Sequence, residues 1–168
     1  MKKPWFTITK INKCIYALAE FSHWEQVVSY LIVDKSHAFL VDTGMGYSSI
    51  KNEIEKICSL PVSVLLTHSH WDHIGGVNEF KTTYVFDDDF ETNNLKKGFS
   101  SQTILELNNE KLFSNGFKPK SFEVIGKKNY LTLDDAQQLN SDTFKIHVIH
   151  TPGHTPGSVC YYISELKA

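Results

Sequence analysis

The first quarter of the chain is a series of short apolar runs, rich in β-branched and aromatic residues and broken by polar turns such as residues 34–36. This pattern is typical of β-strands joined by tight turns. It predicts four successive strands, at residues 5–10, 14–20, 26–34 and 37–42.

From residue 48 onward the apolar positions change to helical spacing. Apolar residues between Ile50 and Cys58 fall on one face of a helix that would run to about residue 59, with Ser48 or Ser49 as its N-cap. Pro61 marks the boundary before a strand at residues 62–67. The pattern further predicts a helix at 74–80, a strand at 83–86, a polar and more helical region from 88 to about 116, and strands at 122–125, 131–133, 143–149 and 159–163.

Strands come first in this order, and helices then alternate with strands, with no internal repeat or linker. Such an order indicates a layered α/β sandwich whose functional residues lie at the strand ends. We therefore expect the 168 residues to form one domain, residues 1–168.

The densest group of chemically active side chains follows the predicted strand at 62–67. Residues 67–76 read Thr-His-Ser-His-Trp-Asp-His-Ile-Gly-Gly, with three imidazoles and one carboxylate within six positions. Imidazole and carboxylate are ligands that Zn²⁺ and similar divalent ions accept. The alternative is a surface loop or a helix cap that is rich in histidine. The fixed spacing after a strand favours a metal site.

The spacing of these ligands also suggests how they are shared. If residues 68–72 are extended, His68, His70 and Asp72 point to one side of the strand end. Asp72 and His73 are adjacent and then diverge. We therefore expect one ion to bind His68 and His70, and a second ion beside it to bind Asp72 and His73.

A distant segment offers a third ligand for the first ion. The predicted strand at 143–149 runs into His-Thr-Pro-Gly-His-Thr-Pro-Gly-Ser at residues 150–158, where two Pro-Gly pairs bracket His154. Proline and glycine fix tight turns, so this imidazole is held in position, as a third ligand must be. For His154 taken alone, a tight turn between two strands without a metal role is the alternative.

Together these segments resemble the metallo-β-lactamase-fold hydrolase superfamily, with its glyoxalase II-like and β-lactamase-like members. The family signature is His-x-His-x-Asp-His followed much later by Gly-His-Thr-x-Gly-Ser. Residues 40–46, Leu-Val-Asp-Thr-Gly-Met-Gly, are similar to the family's strand-end Asp-x-Gly turn, and the resemblance covers about residues 30–158. It implies an α/β fold arranged as a four-layered αββα sandwich.

The resemblance also implies roles for the candidate residues. Asp42 would hydrogen-bond to a ligating histidine, since such histidines usually need a partner for the second ring nitrogen. The alternative for Asp42 is a purely turn-forming role. Asp72 would also be the catalytic residue that orients the attacking water. The first metal would be held by His68, His70 and His154, and the second would be served by Asp72 and His73.

The chain departs from the family pattern after residue 158. Members of the family normally carry a later Asp that bridges the two metals and a final His on a further strand, and neither can be assigned before Ala168. We expect a truncated domain that lacks the usual C-terminal strands, so the second half of the sandwich would be incomplete. The first site would keep its three ligands and an open position for water.

Composition excludes several classes of function. Hydrophobic residues make up 41% of the chain and the net charge is -2, which fits a globular protein without a broad basic surface for nucleic acid or an anionic membrane. All 17 cationic residues are lysines, so a guanidinium clamp on a substrate anion is absent. No apolar stretch approaches the length of a membrane span.

The three cysteines are isolated and odd in number, which argues against a disulfide framework and favours a reducing compartment. Polar residues interrupt any apolar core after Met1, which argues against a signal peptide. We therefore expect a cytoplasmic protein that acts on a small molecule, with no nucleic-acid or membrane partner; a homo-oligomer is left open.

These observations lead to an expectation about the reaction. A divalent ion lowers the pKa of bound water from about 15.7 toward 7, and the activated water would attack an ester, thioester, lactone or related bond of a small molecule. Zn²⁺ is the expected cofactor, as one or two ions, with iron or manganese as alternatives. Two other functions stay open: a mononuclear iron persulfide dioxygenase-like oxidoreductase, and an inactive metal-binding fragment.

Overall fold

The computed structural model describes residues 4–107 and 122–168 of the chain. Seventeen elements follow one another along these two stretches. In chain order they are β1 (Thr7–Lys10), β2 (Ile15–Ala19), β3 (Val28–Val33), β4 (Ala38–Val41), α1 (Ile50–Glu55), β5 (Val62–Leu65), α2 (Trp71–Ile74), a 3₁₀ turn (Val77–Glu79), β6 (Thr82–Phe86), α3 (Asp89–Lys97), β7 (Gly98–Phe99), α4 (Ser101–Leu107), β8 (Val124–Ile125), β9 (Leu131–Leu133), β10 (Gln138–Asn140), β11 (Lys145–His150) and β12 (Val159–Tyr162).

The main sheet has seven strands in the order β1-β2-β3-β4-β5-β6-β9. Strands β1 to β4 are antiparallel neighbours joined by short turns. From β4 to β9 the neighbours are parallel. The carboxyl ends of β4, β5 and β6 therefore meet at one edge of the sheet, which is where ligands usually bind in such sheets. A second, antiparallel sheet has the order β10-β11-β12.

The two faces of the main sheet bury two different cores. Ala38 and Leu40 of β4 point to the core shared with the helices, whereas Phe39 and Val41 point to the core shared with the second sheet. A strand that is covered on both faces needs apolar residues at every position, and β4 meets this need. Helices, large sheet and small sheet thus form successive layers, which confirms the predicted α/β class.

Several predicted elements are confirmed and others are corrected. The side chain of Ser49, one of the two serines predicted as the N-cap, accepts a hydrogen bond from Asn52 N and caps α1. The helix ends at Glu55 and is therefore shorter than predicted. The helix predicted at 74–80 is wrong: α2 begins earlier, at Trp71, and a 3₁₀ turn follows it. The helical region predicted from 88 to 116 contains α3 and α4 with β7 between them, and its remainder lies outside the described residues. The pattern missed β10, because three polar-flanked residues carry almost no periodic signal.

Gly75, the residue after α2, packs closely against the loop after β4. A Cβ atom on Gly75 would lie 2.0 Å from the carbonyl carbon and oxygen of Met45, so the backbone after α2 rests directly on the loop after β4. Gly75 N also donates to Gly44 O at 2.9 Å. This contact fixes the distance between the loop after β4, which carries Asp42, and the segment after β5, which carries His68 and His70.

We expect Gly75→Ala to lower the free energy of unfolding by about 3 kcal/mol, or roughly 10 °C in melting temperature, because backbone atoms on both sides must shift. Thermal unfolding followed by circular dichroism measures the effect. Gly153→Ala is the control, since a Cβ there meets nothing within 4 Å. A wild-type melting temperature for Gly75→Ala would contradict the close packing of these loops.

No helix in the part of the chain that the structure describes has both the length and the apolar character that a membrane crossing requires.

Candidate metal centre

The loops at the carboxyl ends of β4 and β5 carry most of the candidate site. Asp42 follows β4 directly, and Thr67 and His68 lie shortly after β5. The second sheet contributes the loop between β11 and β12, which carries His154. A backbone hydrogen bond of 2.9 Å from Val159 N to Thr67 O joins these two regions, so residues about 90 positions apart meet at one edge of the fold.

Three imidazoles converge at this edge. The ligand atoms of His68, His70 and His154 all lie within 4.8 Å of one another. His70 Nδ1 and His154 Nε2 are 3.0 Å apart. Two nitrogens that bind one tetrahedral zinc ion at about 2.0–2.1 Å are roughly 3.3 Å apart, so this pair already has the spacing of two ligands of one ion. The structure brings together the three histidines that the two motifs singled out.

The ring of His68 has its orientation fixed by Thr67 and Asp42. The Thr67 hydroxyl donates its one hydrogen to Asp42 Oδ2 at 2.7 Å, so it accepts from His68 Nδ1, 3.0 Å away. Nδ1 then carries the ring proton and Nε2 has the free lone pair. Nε2 is buried and has no hydrogen-bond partner among the described residues. A buried, unpaired ring nitrogen facing two other imidazoles fits a metal ion.

Two of these imidazoles are also held in the neutral form that binds metals. Burial and the nearby charge of His73 lower the pKa of His68 to about 4. Burial, followed by the charge of His154, lowers the pKa of His70 as well. At neutral pH, protons therefore do not compete with a cation for these two nitrogens. His154 is exposed, so the group opens to solvent on one side.

Asp72 and His73 lie beside this group but do not diverge as predicted. The chain is extended at His70, and α2 begins at Trp71, so the expectation of an extended chain as far as Asp72 is wrong. Both residues occupy the first turn of α2, and His73 Nε2 lies 3.4 Å from Asp72 Oδ2. The ring centroids of His68 and His73 are 4.0 Å apart. Asp72 and His73 thus form a pair next to the three-histidine group.

Asp42 connects the two sets of histidines. Its Oδ1 accepts from Thr67 N at 2.8 Å, and its Oδ2 accepts from Thr67 Oγ1 and from His73 Nδ1, the latter at 2.8 Å. Asp42 is 4% exposed and has a left-handed backbone with φ 58°, a conformation that aspartate tolerates better than most residues. Its carboxylate therefore orients His73 directly and His68 through Thr67.

The charges around His73 decide its protonation. Burial alone would lower the pKa of His73, but the charge of Asp42 and hydrogen bonds to Asp42 and Asp72 raise it to about 10. Burial likewise would raise the pKa of Asp72, but the hydrogen bond and charge of His73 hold it below its usual value. Asp72 is therefore an anion beside the three-histidine group at neutral pH.

Two buried carboxylates near the site carried no recognisable signal in the sequence. Glu20, at the end of β2, accepts from Trp5 Nε1 at 2.6 Å and from Met45 N at 2.9 Å. Burial raises the pKa of Glu20 to about 7, against the opposing effect of these hydrogen bonds. Glu91 of α3 is fully buried. Each is a single acidic residue in an unremarkable segment, so only the folded chain shows where it lies.

Comparison with known sequences gives a consistent result. The model of the metallo-beta-lactamase superfamily matches residues 23–168. The chain is 23% identical over 180 residues to the acyl-coenzyme A thioesterase MBLAC2 of Homo sapiens, covering 97% of this chain and 64% of that protein. It is 28% identical over 134 residues to the probable polyketide biosynthesis zinc-dependent hydrolase PksB of Bacillus subtilis (strain 168), covering 80% of this chain and 48% of that protein.

Solved structures agree with the sequence comparison. The chain is similar to the metallo-beta-lactamase GOB-18 from Elizabethkingia meningoseptica, with a TM-score of 0.65 and 26% identity over 97% of this chain and 58% of that one. The chain spans about half to two thirds of the length of the relatives it matches.

Proposed function

The chain belongs to the metallo-beta-lactamase superfamily, and we propose that it is a zinc-dependent hydrolase that cleaves a thioester, ester, lactone or related bond of a small molecule. One observation carries this proposal: His68, His70 and His154 present ligand atoms within 4.8 Å of one another. Three protein ligands with one side open to solvent are typical of catalytic zinc sites, whereas structural sites are closed.

In this proposal His68, His70 and His154 hold the first ion. Asp72 and His73 would bind a second ion only when that ion displaces the proton that His73, with a pKa of about 10, keeps at neutral pH. When bound, zinc supplies Lewis acidity, since it lowers the pKa of water toward 7 and polarises a substrate carbonyl. Asp42 and Thr67 contribute by presenting His68 Nε2 in the correct tautomer.

Asp72 is the catalytic residue of the proposal. Its side chain is 13% exposed, and His73 holds its pKa below the usual value, so it is ionised at neutral pH. It lies 3.4 Å from His73 Nε2, and the His73 ring centroid is 4.0 Å from that of His68. An ionised carboxylate accepts a hydrogen bond from the attacking water and orients it toward the carbonyl carbon. His73 in turn fixes the position of the Asp72 carboxylate.

The surroundings of the site favour a substrate with an apolar part. Phe90 is 41% exposed, and its ring lies 6.0 Å from that of His70. Trp24, 46% exposed, lies in the turn between β2 and β3. The same turn carries His23, whose ring centroid lies 6.0 Å from that of Trp71, the residue after His70. Exposed aromatic rings beside a metal centre suit an acyl chain or a similar group.

The first test combines metal analysis with a substrate panel. Purified protein is analysed for zinc, iron and manganese and is assayed with acyl-coenzyme A thioesters, lactones and phosphodiesters. Because a thioesterase is among the relatives with the widest coverage of this chain, we expect zinc and thioester cleavage that a chelator removes and added zinc restores. Bound iron with oxygen consumption would instead support an oxygenase, and cleavage that persists in metal-free protein would contradict the proposal.

A further inference from the structure

Glu91 lies between the two loops that carry the three histidines. It belongs to the first turn of α3 and is 0% exposed. A carboxylate so fully removed from water is stable only when its oxygens accept hydrogen bonds from the protein. The positions of its donors therefore show what this residue holds in place.

Within the described residues, the three donors to the Glu91 carboxylate belong to neighbours of candidate ligands. Oε2 accepts from the backbone nitrogen and the hydroxyl of Ser69, each at 2.6 Å. Oε1 accepts from the hydroxyl of Thr155. Ser69 stands between His68 and His70, and Thr155 follows His154. One buried carboxylate is thus bonded to the residue next to each of the three ligands.

The apolar part of the Glu91 side chain is also in close contact with the second loop. A Cβ atom on Gly157 would lie 2.4 Å from Glu91 Cγ and 2.8 Å from Asp88 Cβ. The loop that carries His154 therefore rests directly on the first turn of α3. The position of this loop therefore depends on Glu91 through packing as well as through the hydrogen bond from Thr155.

The two sheets are joined by other contacts that do not involve Glu91. Val159 N donates to Thr67 O at 2.9 Å, and the Tyr161 hydroxyl donates to Leu66 O at 2.7 Å. These bonds keep β12 beside the end of β5 when the Glu91 carboxylate is lost. The hydrogen bonds of Glu91 instead involve Ser69 and Thr155, the loop residues next to the ligands.

We infer that Glu91 is the positioning residue of the metal centre: it sets the distance between the His68–His70 loop and the His154 loop, and so the affinity and geometry of the ion. The inference rests on the proposed function, because it assigns Glu91 a role toward the ion held by these histidines. Glu91 acts through Ser69 and Thr155 and touches no ligand atom.

The main test is Glu91→Gln, studied by zinc competition against a chromophoric chelator and by the absorption spectrum of the cobalt-substituted protein. Glutamine keeps the volume but has one acceptor oxygen instead of two, so either the two donors of Ser69 or the hydroxyl of Thr155 lose their acceptor. We expect zinc affinity to fall by about 10- to 100-fold, as for other groups that orient metal ligands, and the cobalt spectrum to change. Unchanged affinity together with a wild-type spectrum would overturn the inference.

A matched control variant distinguishes the positioning of the metal ligands from a general stabilising link between distant segments. Asp34 also joins distant segments, since it accepts from Thr143 N at 2.9 Å and from Thr143 Oγ1 at 2.6 Å, but it lies at the opposite end of β4 from Asp42. Asp34→Asn is expected to lower the melting temperature while zinc affinity stays at the wild-type value. An equal loss of zinc affinity in Asp34→Asn and Glu91→Gln would overturn a specific role for Glu91.

A gentler pair of variants decides the question if Glu91→Gln does not fold. Thr155→Val removes one hydroxyl donor at nearly constant volume, and Thr155→Ser keeps it. We expect zinc affinity to fall on the order of fivefold in the valine variant, the loss of about one hydrogen bond, and to be restored in the serine variant. If wild-type protein binds zinc and Thr155→Val binds it equally well, the inference alone fails. If wild-type protein binds neither zinc nor cobalt, the proposed function fails.

Discussion

His68→Ala is expected to abolish zinc binding at the three-histidine site and to lower the rate of hydrolysis on the order of 10³-fold or more. His68 is the most deeply buried of the three ligands, at 8% exposure, and its Nε2 faces the site without another partner in the described chain. Without the ion, attack depends on water with a pKa of about 15.7, which is almost wholly un-ionised at pH 7. Zinc content per chain and kcat/KM measure the two effects.

His154→Ala is expected to give the same result from the other loop, because the three-histidine site keeps only two imidazoles when either His68 or His154 is removed. His147→Ala is the control: this histidine lies on β11 and contacts Gln138 Nε2 at 3.1 Å through Nδ1, so its loss leaves the site intact. Unchanged zinc content in His68→Ala or His154→Ala would refute the ligand assignment. A loss of zinc in His147→Ala would point to a different site.

The parts of the fold that the sequence predicted well are those with a local cause. The apolar runs at 37–42 and 62–67 became β4 and β5, because buried parallel strands require continuous apolar residues. Ser49 caps α1 through its own side chain, a contact that spans three residues. The three histidines were found for the same reason, since two are separated by a single residue and the third lies in a Pro-Gly turn.

The features that were missed depend on contacts between distant segments. The contact between the end of α2 and the loop after β4 is one of them, because the Gly75 backbone rests on Met45, thirty residues earlier. The pairing of Asp72 with His73 is another, because it follows from the start of α2 at Trp71, which places both residues in one helical turn. The role of Glu91 likewise depends on Thr155, 64 positions away. No local pattern reports such a contact, so the sequence predicts ligands better than it predicts the groups that position them.

Asp42→Asn tests the group that orients ligands at the end of β4, and we expect it to have a large effect on both stability and metal binding. Asparagine has one acceptor oxygen, whereas the carboxylate of Asp42 accepts from Thr67 N, Thr67 Oγ1 and His73 Nδ1. The side-chain NH2 group of asparagine would therefore face at least one of these three donors in the protein interior. We expect the free energy of unfolding to fall by about 3 kcal/mol and zinc affinity to fall by about 10- to 100-fold.

Thr67→Val separates the effect of Asp42 on His68 from its effect on His73. It removes the hydroxyl between Asp42 and His68 Nδ1 and leaves the bond from His73 to Asp42 in place, so His68 loses its fixed tautomer while His73 keeps its orientation. We expect a smaller fall in zinc affinity, on the order of fivefold, and recovery in Thr67→Ser. Urea unfolding and zinc competition measure both variants. If Asp42→Asn bound zinc as tightly as the wild type, the backbone alone would orient His68, and Asp42 would keep only its role in the turn after β4.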